Sequence, residues 1–447
     1  MRKLFFSVFM GSFLFACNNA NNPPPEGCPE GTTLDSESGE CIGTGPGEGQ
    51  NNGKGAYAVM PGNQNTDRIR EMYDTWMNTY YITYEDDMPN FPSQNQHSDA
   101  PGTARIKAVY GSRANNDSGY TCSEAMGYGM LLSSLMEDWE RFDKLHAYTK
   151  LFHIPGTALM RWDIAYFGFP RTTGGSATDA DLDILGALLI AYEKTKRQSY
   201  LDDALAIGAS IYEWEVGANT KLILPARNTE TWSNSGAFTR IGDENLFNIS
   251  YFSLPVLRAL TEYDNSIDWY SVLEANLSYM ERVQNAWAGE GGLWPDWSNA
   301  SGMPVNPTNG SNTTHAASDG STLNSYEAYH RETPRIPWRI AWYYHWYGDP
   351  RAKAMLDNGM AFLRSRGVVN SGDAKSYYTF DGRETIYLNN QVMTWASLCA
   401  LGMGNTGNQE WLNNCNERLL GAFTPRLNTY YASSLQLIYA MLFNGKY

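Results

Sequence analysis

The chain has 447 residues, with 48 acidic against 33 basic side chains and a formal net charge of −15. That length allows one large domain or two ordinary ones with a sizeable buried core. The acidic balance leaves no basic stripe to neutralise phosphates, which argues against nucleic acid as a partner.

The chain begins Met1-Arg2-Lys3 and continues with an apolar run from Leu4 to Ala16. This reads as a signal peptide, too short to span a bilayer, which takes about 20 apolar residues. In Leu14-Phe15-Ala16-Cys17 a cysteine follows a small residue directly, an arrangement that resembles a bacterial lipobox. Export is therefore expected, with a lipid on Cys17 as the link to a membrane; an ordinary signal peptide cut nearby is the alternative. Residues 18–65 are rich in Asn, Pro, Gly, Glu and Ser and read as a flexible, hydrated tether. Cys28 with Cys41 is a candidate disulfide within it, since such bonds persist in oxidising compartments.

From Thr66 onward the character changes. Apolar and aromatic residues recur at helical spacing over 66–81, 123–138, 140–150, 179–195, 200–215, 248–263, 269–286, 336–347, 350–365, 390–402 and 429–443. Strict alternation is confined to short pieces such as Lys221 to Leu224. The reading is an all-α domain over 66–447, monomeric. With no fixed repeat of 20–50 residues, a compact barrel of inner and outer helices is expected rather than a solenoid. Cys399 and Cys415 are a second candidate disulfide. No Cys-x-x-Cys or His-Glu-x-x-His spacing appears and the six His are scattered, so neither metal nor cofactor is expected. The loop 287–325, with Trp287, Trp294 and Trp297 and then a run of Asn, Gly and Ser, is long enough to carry function. Its rings and amides suit sugar faces and sugar hydroxyls.

Three segments carry carboxylates in places where chemistry is plausible. Ser123-Glu124-Ala125-Met126-Gly127-Tyr128-Gly129-Met130 places Glu124 in the first turn of a helix, where free N–H groups and the dipole favour an anion. Its glycines allow close approach. Ala177-Thr178-Asp179-Ala180-Asp181-Leu182-Asp183-Ile184 alternates three acids at a helix entry. The third segment runs from Tyr326 through Glu327, Glu332 and Arg335 to Pro337-Trp338-Arg339, just ahead of an aromatic helix. Taken one at a time, each also fits a capped helix end or a structural ion pair.

Together and in this order the three resemble glycoside hydrolase family 8. The family's acid motif Ser-Glu-Gly-Gln-Gly-Tyr-Gly-Met is matched from Ser123 to Met130 except at Ala125 and Met126. Its Ala-Thr-Asp-Ala/Gly-Asp signature is matched from Ala177, and Leu159-Met160-Arg161-Trp162 looks like its Leu-Met-x-Trp, whose Trp lies under a sugar. The resemblance implies an (α/α)6 barrel with an open cleft and an inverting, endo-acting hydrolase of a β-1,4-linked polysaccharide. A β-1,4-glucan is the first choice, with xylan or chitosan as alternatives. It implies Glu124 as general acid, Asp179 at the sugar being cleaved, and Trp162, Tyr128, Arg335 and Asp181 as substrate-binding residues. The base departs from the pattern, because the family shows Tyr-Asp-Ala-x-Arg-x-Pro-Trp-Arg. Anchoring on Arg335-x-Pro337-Trp338-Arg339 selects Glu332, which is preferred because it keeps its spacing to the arginine; anchoring on Tyr326-Glu327-Ala328 selects Glu327, and a base from another loop, as in some members of the family, is the third alternative. Without a base, the chain would be a surface protein that only binds glycan.

Overall fold

Side-chain caps mark four of the helices. Asn65, Asp138, Asp268 and Asp349 each accept a backbone N–H and so open α1 (Thr66–Tyr80), α3 (Trp139–Leu151), α7 (Trp269–Asn285) and α9 (Pro350–Ser365). These helices bury one stripe and leave the other face to water; α1 buries Ile69, Met72, Tyr73, Trp76, Met77 and Tyr80. With α5 (Gln198–Trp214) and α11 (Gln409–Leu420) they form an outer layer. Between them in the chain come α2 (Ser123–Leu135), α4 (Thr178–Thr195), α6 (Leu254–Tyr263), α8 (Ile336–Tyr347), α10 (Val392–Ala400) and α12 (Tyr430–Phe443). No side chain caps the N-terminus of any of these six. They are buried almost all round, as helices of an inner ring must be.

This computed structural model describes residues 32–34, 41–43, 54–87, 101–108, 120–166, 169–170, 175–226, 244–287, 292–307, 314–387 and 391–447. Outer and inner helices alternate, and successive inner helices pack on one another. The ring closes where Tyr430 of α12 stacks on Tyr128 of α2. At Gly127 an added Cβ would stand 3.1 Å from Asp183 Cβ and 3.3 Å from the Ala180 carbonyl oxygen. Glycine there lets α2 and α4 touch nearly backbone to backbone, which draws their first turns together. The fold is the expected (α/α)6 barrel.

Short antiparallel pieces trim the barrel. Thr121–Cys122 pairs with Asp163–Tyr166, which pairs with Phe169–Pro170, and this small sheet leads straight into α2. Thr314–Ala316 pairs with Thr322–Asn324, and Ala328–Tyr329 with Tyr378–Thr379. Lys221 to Leu224 is not a strand: only an isolated bridge joins Val216 to Ile223, because Lys221 turns the chain with φ 58°. The Cys399–Cys415 disulfide is present and ties the end of α10 to α11. Cys28 lies outside the described residues.

Two features correct the reading of the N-terminal region and of the Trp-rich loop. Within the segment read as tether, Thr32–Leu34 pairs with Cys41–Gly43 as a hairpin in a separate N-terminal unit. The helical unit itself takes in residues ahead of Thr66: Gly55 donates its N–H to the Trp346 carbonyl at 2.7 Å, Tyr57 to His345 and Val59 to Met403. The chain thus runs along the C-terminal ends of inner helices before α1 begins. Trp287, Trp294 and Trp297 are core residues, not surfaces for sugars. Trp287 packs edge-on against Phe362 and Phe380, Trp294 donates to the Met280 carbonyl at 3.0 Å, and Trp297 clusters with Ala226 and Leu246.

Candidate active site

The uncapped N-termini of the inner helices converge on one face, and the carboxylates of interest sit in their first turns. Glu124 is the second residue of α2 and the one residue of that helix that is not buried. Asp179 is the second residue of α4, and Arg335 immediately precedes α8. Tyr430 opens α12. Unsatisfied N–H groups and aligned helix dipoles at such ends favour negative charge.

Arg335, 1% exposed, joins these parts. Its Nη1 donates to Glu124 Oε2 at 3.0 Å and to Asp179 Oδ2, and its Nη2 donates to Glu332 Oε2. The guanidinium lies 5.1 Å from the ring of Tyr251, which exposes its charge to an aromatic face on that side. Glu124 Oε1 accepts from the Tyr430 hydroxyl at 3.2 Å, and Asn248 Nδ2 donates to Glu332 Oε2 at 3.3 Å. Burial pushes the Asp179 carboxyl up, Arg335 and Arg339 pull it down, and Glu332 adds to the upward push. Asp179 Oδ1 has no hydrogen-bond partner among the described residues. Behind this layer Asp183 pairs with Arg339 at 2.9 Å, and burial still raises Asp183 to about 7.

The two candidate bases separate cleanly. Glu332 shares Arg335 with Glu124 and Asp179. Glu327 ends the short 3-10 turn Ser325–Glu327, where Asn324 Nδ2 donates to it at 3.1 Å and Arg383 lies 3.9 Å away. No contact between Glu327 and Arg335 is among those described. Trp162 is half-buried at the edge of the same region, and its carbonyl accepts from Ser123 N at 2.9 Å, which fixes the start of α2.

Three residues expected to contact substrate are placed behind the surface. Tyr128 is fully buried, because one turn after Glu124 its ring packs against Trp338 and Tyr430. Asp181 is 1% exposed and accepts from Met160 N at 3.0 Å; burial and then the nearby Glu215 push its carboxyl well up. Arg335 holds carboxylates and presents no surface of its own to a sugar. Asp296 escaped the sequence reading. Its buried carboxylate accepts the N–H groups of Arg331, Glu332 and Thr333 and the Thr333 hydroxyl, all at 3.0–3.1 Å. Burial, then Glu332, raise Asp296 to about 7 against those N–H groups. Those partners lie 35–37 positions along the chain, so no local motif exposes the link.

Arg335→Met leaves Glu124, Asp179 and Glu332 without their shared cation, and removing one partner of a buried pair costs about 3–5 kcal/mol. Asp179 already sits above its ordinary value and must rise further in the variant. Its native state then keeps a proton that the unfolded chain releases above about pH 4, so stability falls as pH rises. Denaturant unfolding should show a larger loss relative to wild type at pH 8 than at pH 5. Equal losses at the two pH values would contradict this account.

The family model for glycosyl hydrolases family 8 matches residues 109–446. Endoglucanase C of Ruminiclostridium cellulolyticum is 25% identical over 401 residues, covering 88% of this chain and 75% of that protein. Endoglucanase 2 of Ruminiclostridium josui is 27% identical over 333 residues, covering 73% of this chain and 64% of that one, so the match spans about two thirds to three quarters of these relatives. The apo structure of a β-1,3-1,4-glucanase from Paenibacillus sp. X4 shares the fold, with a TM-score of 0.69 at 22% identity over 88% of this chain and 96% of that one. The family match runs across all three carboxylate segments and the helices that bring them to Arg335, and the chain therefore belongs to glycoside hydrolase family 8.

Proposed function

We propose that the protein is an exported, endo-acting β-1,4-glucanase that cleaves with inversion, with Glu124 as general acid and Glu332 as general base. The observation that carries this reading is the single guanidinium of Arg335 standing between the two. Inverting hydrolysis needs two carboxyl groups about 6.5–9.5 Å apart, with a water between the second and the anomeric carbon. Glu124 and Glu332 accept from Nη1 and Nη2 of one guanidinium, so two carboxyl groups flank the same cation at the site. One cation cannot neutralise three carboxylates, so the cluster favours retaining a proton. Glu124, the group of α2 that reaches open space, is placed to hand such a proton to a leaving oxygen. Asp179, which the resemblance puts at the sugar being cleaved, is 2% exposed and is held by Arg335 beside Glu124, so the role proposed for it is to hold that cation in place at the cleavage point. The glucan preference is supported by the relatives named endoglucanase.

Carboxymethylcellulose, lichenan, xylan and chitosan, assayed side by side, should give the fastest release of reducing ends from one of the two glucans. On that substrate Glu124→Gln and Glu332→Ala should each lose about 10²–10⁴-fold in kcat, the usual contribution of a general acid or base. Glu327→Ala should stay near wild type. Added azide should restore turnover in Glu332→Ala alone, as an α-glycosyl azide, because the lost side chain leaves space for a small anion beside the anomeric carbon. Rescue confined to Glu327→Ala would move the base to Tyr326-Glu327-Ala328.

Export and anchoring rest on the N-terminal segment. The Arg2-Lys3 start, the apolar run and Ala16-Cys17 support a lipid on Cys17 that holds the enzyme at a bacterial membrane. Cells fed labelled palmitate should label the wild-type protein and not Cys17→Ser. Label retained in that variant would rule out this anchor.

A further inference from the structure

Glu332 stands on a tight turn with little support of its own. The chain leaves the Ala328–Tyr329 strand, passes His330 and Arg331, and enters the 3-10 turn Thr333–Arg335 through Glu332, which has no side-chain cap to offer. His330 N donates to Thr333 Oγ1 at 2.8 Å and Arg335 N to the Glu332 carbonyl at 3.2 Å. The remaining N–H groups of the turn, those of Arg331, Glu332 and Thr333, point the same way and meet one acceptor. That acceptor is Asp296, 3% exposed. Its Oδ1 takes all three N–H groups and the Thr333 hydroxyl, while Oδ2 shares only the Arg331 N–H, at 3.0 Å, and lies 3.8 Å from His330 Nδ1.

Asp296 is itself rigidly mounted. Its N–H donates to the Ala328 carbonyl at 3.0 Å, and the residues around it, Trp294 and Trp297, are buried in the core. A carboxylate in such a place is costly to bury, and a purely structural turn is satisfied more cheaply by a neutral acceptor. The arrangement is explained if the turn's geometry matters more than its stability. From Asp296 we infer that this residue is the positioning residue for Glu332, fixing the turn that aims the Glu332 carboxylate at Arg335 and at the water it activates. Buried beneath the turn, it acts only through Glu332, so the inference rests on Glu332 being the base.

The test is a double-mutant cycle on the exported protein, with the glucan hydrolysed fastest above. Asp296→Ala removes the acceptor shared by the Arg331, Glu332 and Thr333 N–H groups and should lower kcat about 10²-fold, the cost of a misplacement on the order of 1 Å, with KM within about twofold. Asp296→Asn keeps an oxygen at the Oδ1 position and should recover most of that loss. In the Glu332→Ala background, measured as the azide-assisted rate, Asp296→Ala should change turnover by less than about twofold, since nothing is left to position. An equal loss in both backgrounds, or a fall in KM affinity with kcat intact, would make Asp296 a general structural residue and overturn the inference. Wild-type kcat in Asp296→Ala would overturn it as well. If Glu332→Ala itself keeps full activity, the base assignment fails and takes this inference with it, an outcome distinct from the others.

Discussion

One buried guanidinium organises the reacting face. Arg335 touches three carboxylates that come from three separate stretches of chain, and each contact depends on a different helix end being in place. Burying a guanidinium is expensive unless its charge and its donors are met. Here its charge and its two terminal nitrogens are met by the groups proposed to do the chemistry, while its Nε has no acceptor among the described residues, so the cost of dehydrating Arg335 is offset only when Glu124, Asp179 and Glu332 are correctly assembled. Stability and site geometry are therefore tied to the same few hydrogen bonds. Arg339 repeats the device one turn deeper with Asp183, which anchors α8 to α4 beneath the site.

The barrel supplies the frame for this. Four outer helices carry their own caps and could be placed anywhere a stripe of apolar residues finds a partner. The inner helices have no caps of their own, and on one face their free N–H groups and positive dipole ends meet the acids. A ring of parallel-running inner helices thus makes an anion-favouring face out of backbone alone. The close contact at Gly127 then decides how near Glu124 and Asp179 can come, since a side chain there would push α2 off α4. Tyr128, fully buried, and Tyr430 complete the back wall and leave Glu124 as the residue of its helix that meets open space.

Much of the architecture is legible in the sequence because helical periodicity is a local property. The eleven periodic segments all correspond to helices, and α11 goes unread because Gln409-Glu410-Trp411-Leu412-Asn413-Asn414-Cys415 is mostly polar with a narrow apolar stripe. Motifs likewise locate Glu124 and Asp179. What sequence does not carry is depth. Tyr128, Asp181 and Arg335 belong to the right motifs, and nothing local says that they lie behind the surface rather than on it. The same holds for Trp287, Trp294 and Trp297, where richness in aromatic rings looks like a sugar platform and turns out to be core packing. The choice between Glu332 and Glu327 needs the fold, since they are only five positions apart and one of the two lies against Arg335. Asp296 is the extreme case: its role depends on N–H groups that the tertiary structure alone brings to it.

The central claim is that water, activated by a second carboxylate held across Arg335 from Glu124, attacks the anomeric carbon directly. Proton NMR of the nascent reducing end, recorded before mutarotation on a β-1,4-glucan oligosaccharide, reports this without any mutation. The account requires the α-anomer to appear first. A β-anomer as the first product would mean a covalent intermediate and two closely spaced carboxyl groups, and would contradict the mechanism whichever residue served as the base.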